Sequence, residues 1–164
     1  MRVILVLFFS ASLLVACKNS KPIAKSNKIE NKSKIELNVP KEVKQNGHIS
    51  FEFANSTFNE VTVHAPAFKH IERQESGKWI KVKILYCPCG ADCIPPPKTK
   101  TLKPGETHKY SWNLTESWCD KKKTNNIQKT IERKSTIGIY RTTVYYSLDG
   151  IQQEKLIKEF NIIN

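Results

Sequence analysis

Five cysteines carry most of the chemical potential of this chain. Cys17 stands alone near the N-terminus, whereas Cys87, Cys89, Cys93 and Cys119 lie together in the second half. The string Cys87-Pro88-Cys89-Gly90-Ala91-Asp92-Cys93 crowds three thiols into one short loop, and Ile94-Pro95-Pro96-Pro97 behind it is stiff. In an oxidising compartment an even set of four predicts two disulfides, with three pairings open. A bridge from Cys119 to the cluster closes a loop of about thirty residues, worth roughly 3 kcal/mol in the loop-entropy account. The competing chemistry is a thiolate site for copper or zinc on Cys87, Cys89, Cys93 and Cys119, because soft ions favour sulfur. The Cys-x-Cys-x3-Cys spacing departs from the paired Cys-x2-Cys of structural zinc sites, which favours the disulfides.

Other chemistry-bearing residues are scattered. His48 and His64 fall out of phase with the apolar positions around them and are expected at the surface; His70 could approach His64 across a turn, and His108 precedes Tyr110 and Trp112. No pair has the i, i+4 spacing of helical metal ligands. Gly-x-Ser-x-Gly, His-Glu-x-x-His and the phosphate-binding glycine loops are all missing. Glu72, Glu75 and Asp120 read as solvated charges rather than paired acid-base groups. No catalytic residue is expected, and the chain reads as a non-enzyme. Trp79 and Trp112 fall in strand patterns and are expected in the core, while Trp118, beside Cys119, could serve either the core or recognition.

Cys17 has a different context. Met1-Arg2 precedes an apolar run from Val3 to Ala16, the profile of a signal peptide. That run is shorter than the roughly 20 residues needed to cross hydrocarbon. Its end, Leu14-Val15-Ala16-Cys17, resembles the lipobox of bacterial lipoproteins. The resemblance implies removal of residues 1–16, diacylglyceryl and palmitate chains on Cys17, and a membrane-held protein of the cell envelope. In a Gram-negative host, Lys18 and Asn19 after the cysteine point to the outer membrane. The covalent lipid is the one prosthetic group expected, with no cofactor beside it. Each buried methylene contributes about 0.8 kcal/mol, so two or three acyl chains hold for long times.

Charge extends this reading. Lys and Arg number 27 against 15 Asp and Glu, a formal +12. Six lysines fall between Lys18 and Lys34 against the single acid Glu30, without an aromatic residue on which a base could stack. Beside an anchor such a stretch fits anionic headgroups, and nucleic acid is not an expected partner. Residues 17–34 hold too little apolar matter to order themselves and are expected to form a tether reaching roughly 20 to 25 Å. Lys121-Lys122-Lys123 reads as a wet loop or a minor anionic contact.

From Ile35 onward the apolar period is two. Ile35, Leu37 and Val39 alternate; so do Ile49, Phe51 and Phe53, then Val61, Val63 and Ala65. Further strands are expected over 68–73, 79–85, 107–112, 137–146 and 156–163, with reversals at Ser76-Gly77 and Asp149-Gly150. About seven or eight short strands with Gly and Pro turns predict an all-β antiparallel sandwich with Greek-key connections and a cysteine-rich loop, over residues 35–164. Residues 115–130 are polar and are expected to be an irregular loop, with a helix as the alternative.

Three strings, Asn55-Ser56-Thr57, Leu102-Lys103-Pro104-Gly105-Glu106 and Gly138-Ile139-Tyr140-Arg141, resemble small Ig-like domains of bacterial envelope proteins. That resemblance implies an Ig-like binding or structural module with an envelope protein as its partner. Ig-like protease inhibitors of the chagasin type share the architecture, but their Asn-Pro-Thr-Thr-Gly loop, paired glycines and Arg-Pro-Trp are missing here.

Overall fold

The computed structural model describes residues 34–64, 70–124, 127–148 and 150–164. The leader, Cys17 and the tether up to Ser33 lie outside the described residues, as do Ala65, Phe68 and Asp149. Every described element is a strand: β1 Ile35–Asn38, β2 Glu42–Lys44, β3 Ile49–Asn55, β4 Val61–His64, β5 Ile71–Glu75, β6 Lys78–Lys81, β7 Thr99–Leu102, β8 Thr107–Trp112, β9 Thr115–Thr124, β10 Ile127–Lys134, β11 Gly138–Leu148 and β12 Gln152–Ile163.

The period-two pattern is what builds the core. In β3 every second residue is buried (Ile49, Phe51, Phe53 and Asn55) and the facing strands answer with Val61, Val63, Tyr140, Val144, Tyr146, Phe160 and Ile162. One sheet has the order β1-β3-β8, the other β2-β12-β11-β4-β7, with β5 on β11 and β6 on β5. The chain crosses between them from β1 to β2, β2 to β3, β3 to β4 and β7 to β8, so the two sheets share their connections. Their inner faces meet in an all-β sandwich. Phe51 stacks on Tyr110 with ring centroids 4.7 Å apart and meets the edge of Phe160 at 5.7 Å. Such ring pairs add to the burial of apolar area that supplies most of the folding drive.

The three strings that resemble Ig-like domains turn out to be connected to the frame. Asn55 is buried, and its amide donates to the carbonyls of Asn59 (2.9 Å) and Leu102 (3.1 Å) while its Oδ1 accepts from the Thr57 N–H (3.0 Å). Gly105, at φ 81°, returns its N–H to the Asn55 carbonyl at 2.8 Å. The Tyr140 hydroxyl donates to the Thr136 carbonyl at 2.7 Å, a link of the kind called a tyrosine corner in Ig-like sandwiches. Ser76 and Gly77 both have positive φ, 46° and 77°, as a tight two-residue hairpin requires.

Four expectations need correction or extension. The strand count rises to twelve among the described residues, because three- and four-residue edge strands such as β2 carry too few apolar positions to show a period. β2 runs parallel to β12, with Val43 opposite Ile162, inside an otherwise antiparallel arrangement. The strand expected over 79–85 stops at Lys81. In place of the irregular loop or helix expected over 115–130, residues 115–124 and 127–130 are strand, part of β9 and β10, which pair as their own two-stranded sheet.

Candidate functional site

Residues 82–98, between β6 and β7, contain no regular secondary structure, yet they are fixed at many points. Val82 is buried in the core and its N–H reaches the Ile71 carbonyl at 2.9 Å. The Lys83 carbonyl accepts from the Ser117 N–H at 2.8 Å, and the Leu85 N–H donates to Ser117 Oγ at 2.7 Å. The Cys89 N–H donates to Thr130 Oγ1 at 2.8 Å. The segment is thereby laid along the β9–β10 hairpin.

The cysteines complete the attachment. Cys87 pairs with Cys93, Cα atoms 6.2 Å apart, and Cys89 with Cys119, 5.7 Å apart. The first bond rounds the small loop into a knot, with Gly90 at φ 78° and the Ala91 N–H returning to the Pro88 carbonyl. The second welds that knot to β9. All four sulfurs are thus bonded to sulfur, and a thiolate site for copper or zinc would require the reduced chain. Among the described residues no three His, Cys, Asp or Glu side chains are grouped to hold a metal ion.

A cluster of ion pairs ties the hairpin to the sandwich. Glu116, with its side chain 4% exposed, is paired with Arg73 of β5 and lies 3.5 Å from Arg133 of β10. Arg73 also pairs with Glu75. Burial works against the Arg73 charge, but Glu75 and Glu116 outweigh it and raise its pKa above the ordinary value. Leu114, buried at φ 55°, turns the chain from β8 into β9, and the Trp112 indole N–H donates to the Thr115 carbonyl at 2.9 Å. The Ser135 hydroxyl is buried there without a partner among the described residues.

Between residues 81–85 and 117–119 lies an open groove of about 510 Å³ with mostly apolar walls. Trp118 is half-buried in it, with Lys83 Nζ 5.7 Å and the Arg133 guanidinium 5.5 Å from the ring centre. Tyr86 and Ile94, 58% and 87% exposed, stand on the stapled segment nearby in sequence. Trp112 is in the core as expected, whereas Trp79 is only half-buried and lies under the Arg141 guanidinium at 4.3 Å. Its register across from Gln74 puts it on the outer face of the sheet, with Arg141 in place of core neighbours.

The remaining residues do not converge. His48 is exposed; His64 is half-buried, its Nε2 2.9 Å from Ser147 Oγ; His70 meets the edge of Tyr145 at 4.9 Å. His108 lies 3.2 Å from Lys100, and burial, with that ammonium second, lowers its pKa. The acids expected to be solvated include two ion-paired groups, Glu72 with Arg141 at 2.6 Å and Glu75 with Arg73. Glu116, Arg73 and Arg133 were not legible as a unit because their sequence separations give no motif.

No family model matches the chain, and no curated protein matches it. Among solved structures it is similar to the ASH/PapD-like domain 7 of human CEP192, at 16% identity over 94% of this chain and 95% of that one, with a TM-score of 0.39. It is also similar to part of a mutant beta-glucosidase from Listeria innocua, at 11% identity over 81% of this chain and 16% of that one, with a TM-score of 0.32. Neither value supports an argument by superposition. The sandwich is defined by its own strands, register and core.

Proposed function

We propose that this chain is a lipid-anchored binding module of the cell envelope, without enzymatic activity, that presents the stapled segment and the β9–β10 hairpin to a partner protein. The observation that carries the reading is the double fastening of residues 82–93: two disulfides and a ladder of hydrogen bonds hold in place a stretch that lacks regular secondary structure and displays Tyr86, with the exposed Ile94 directly after its last cysteine. Prefixing the shape of an exposed segment lowers the ordering cost of binding, which is where rigid recognition loops gain affinity. The scattered histidines and the ion-paired acids support a surface for contact rather than for turnover.

Anchorage through Cys17 rests on the sequence Leu14-Val15-Ala16-Cys17 and fits disulfides formed outside the cytoplasm. Two experiments test the reading. Labelled palmitate is expected to enter the protein and to be lost in Cys17→Ser; label-free, leader-bearing protein in the soluble fraction overturns the anchor. A photo-crosslinking side chain at position 86 or 94 is expected to trap an envelope protein in cells, and one at Ile151, 90% exposed on the β11–β12 turn, is not. Equal trapping at all three positions, or at none, overturns the module.

A further inference from the structure

The groove beside Trp118 has a definite chemical character. Ile84, Leu85 and the indole of Trp118 supply apolar wall, Lys81 and Lys83 supply charge, and no carboxylate lines it. Two of the nearby acids are already engaged. Glu72 faces Lys81 across the β5–β6 register, but its carboxylate is held by Arg141 at 2.6 Å; Glu116 is held by Arg73 and Arg133. Among the described residues neither Lys81 nor Lys83 has an ion-pair partner. The wall therefore offers a hydrophobic surface with uncompensated positive charge, in a chain of formal charge +12.

That combination selects among anionic ligands. A sugar or a base would need the indole face for stacking, and Lys83 and Arg133 already stand 5.7 and 5.5 Å from its centre. A bilayer needs a protruding apolar edge, whereas this surface is concave. A peptide can lay side chains into a groove while its carboxylates meet the lysines on the wall, and complementary charge favours the encounter.

We propose that the groove receives an extended acidic peptide stretch of the partner protein, with aliphatic side chains against Ile84 and Leu85 beside Trp118 and carboxylates at Lys81 and Lys83. This rests on the binding-module reading and names the chemistry of its partner. The test is calorimetric titration of the full chain in zwitterionic detergent with a synthetic decapeptide alternating Glu and Leu. Parallel titrations use a Glu-Ser decapeptide, heparin and vesicles carrying anionic lipid, with hydrogen exchange mapping the contact.

Saturable binding of the Glu-Leu peptide is expected, with protection gained at residues 81–85 and 117–119. Lys81→Glu/Lys83→Glu is expected to weaken it about tenfold or more, as loss of a central contact does. Trp118→Ala is expected to weaken it similarly, and the lysine pair, exposed and outside the core, decides the matter if that variant folds poorly. Absence of binding, equal binding of the Glu-Ser peptide, protection mapped elsewhere, or tighter engagement of the same residues by heparin or vesicles overturns the proposal. If the peptide fails while crosslinks from positions 86 and 94 persist in cells, the acidic-peptide assignment falls and the module stands. If both fail, the module falls too.

Discussion

Phe51, Tyr140 and Phe160 fill the sandwich ring against ring, and the strands around them need no covalent help; residues 82–98 send Val82 and part of Ile84 inward and are otherwise fixed by sulfur, by Ser117 and by Thr130. The hairpin beneath them is held to the sandwich by Arg73 and Glu116. One region is stable because its surface is removed from water, the other because its alternatives are removed by bonds. The difference separates scaffold from display. A segment that leaves Tyr86 and Ile94 in water cannot be held by burying them, so its shape has to be fixed another way.

Removing a ring from the sandwich is the harshest way to test this contrast. Phe51→Ala is expected to cost about 3 to 5 kcal/mol in chemical denaturation, through lost burial and the cavity left behind, while both disulfides stay formed by thiol counting. A loss below about 1 kcal/mol would mean that the core is not where the stability lies. Next in size, Cys89→Ser/Cys119→Ser is expected to release about 3 kcal/mol of constraint from the loop and hairpin. Their amides should exchange faster while β3 and β11 keep their protection; uniform loss across all four erases the distinction.

The mildest test is alkaline. Burial raises the Tyr110 and Tyr146 pKa values to about 12, with the Glu154 carboxylate adding to the effect at Tyr146. A phenol harder to ionise in the folded chain than at its ordinary 10.0 makes unfolding easier as base is added. Its contribution is fully kept below pH 10 and lost as the pH rises toward about 12. Denaturation followed across that window should show the sandwich weakening, and Tyr146→Phe should remove its share of the slope.

The sandwich was legible in the sequence because water imposes a period of two on any strand with one wet face. Ile49, Phe51 and Phe53 announced β3, and Ser76-Gly77 announced the β5–β6 turn. The β9–β10 hairpin was not legible for the opposite reason: among its described residues the buried one is a glutamate, that residue's neighbours are arginines distant in sequence, and a further tie is a cysteine. Hydrophobic periodicity is blind to burial that depends on ion pairs. Trp79 misled for a related reason, since an aromatic residue in a strand can be covered by a guanidinium as well as by a core. The four cysteines were visible from the start, but their pairing depended on where β9 runs, which their spacing does not encode.

β11 takes β12 along its entire length on one side, and on the other it takes β4 at residues 145–148 and β5 at residues 140–142. Ribosomes make β4, β5, β6 and β7 before the strand that joins them exists. The seven-stranded sheet therefore cannot close on a partly synthesised chain: the β4–β7 and β5–β6 pairs can form early, but only β11 bridges one pair to the other.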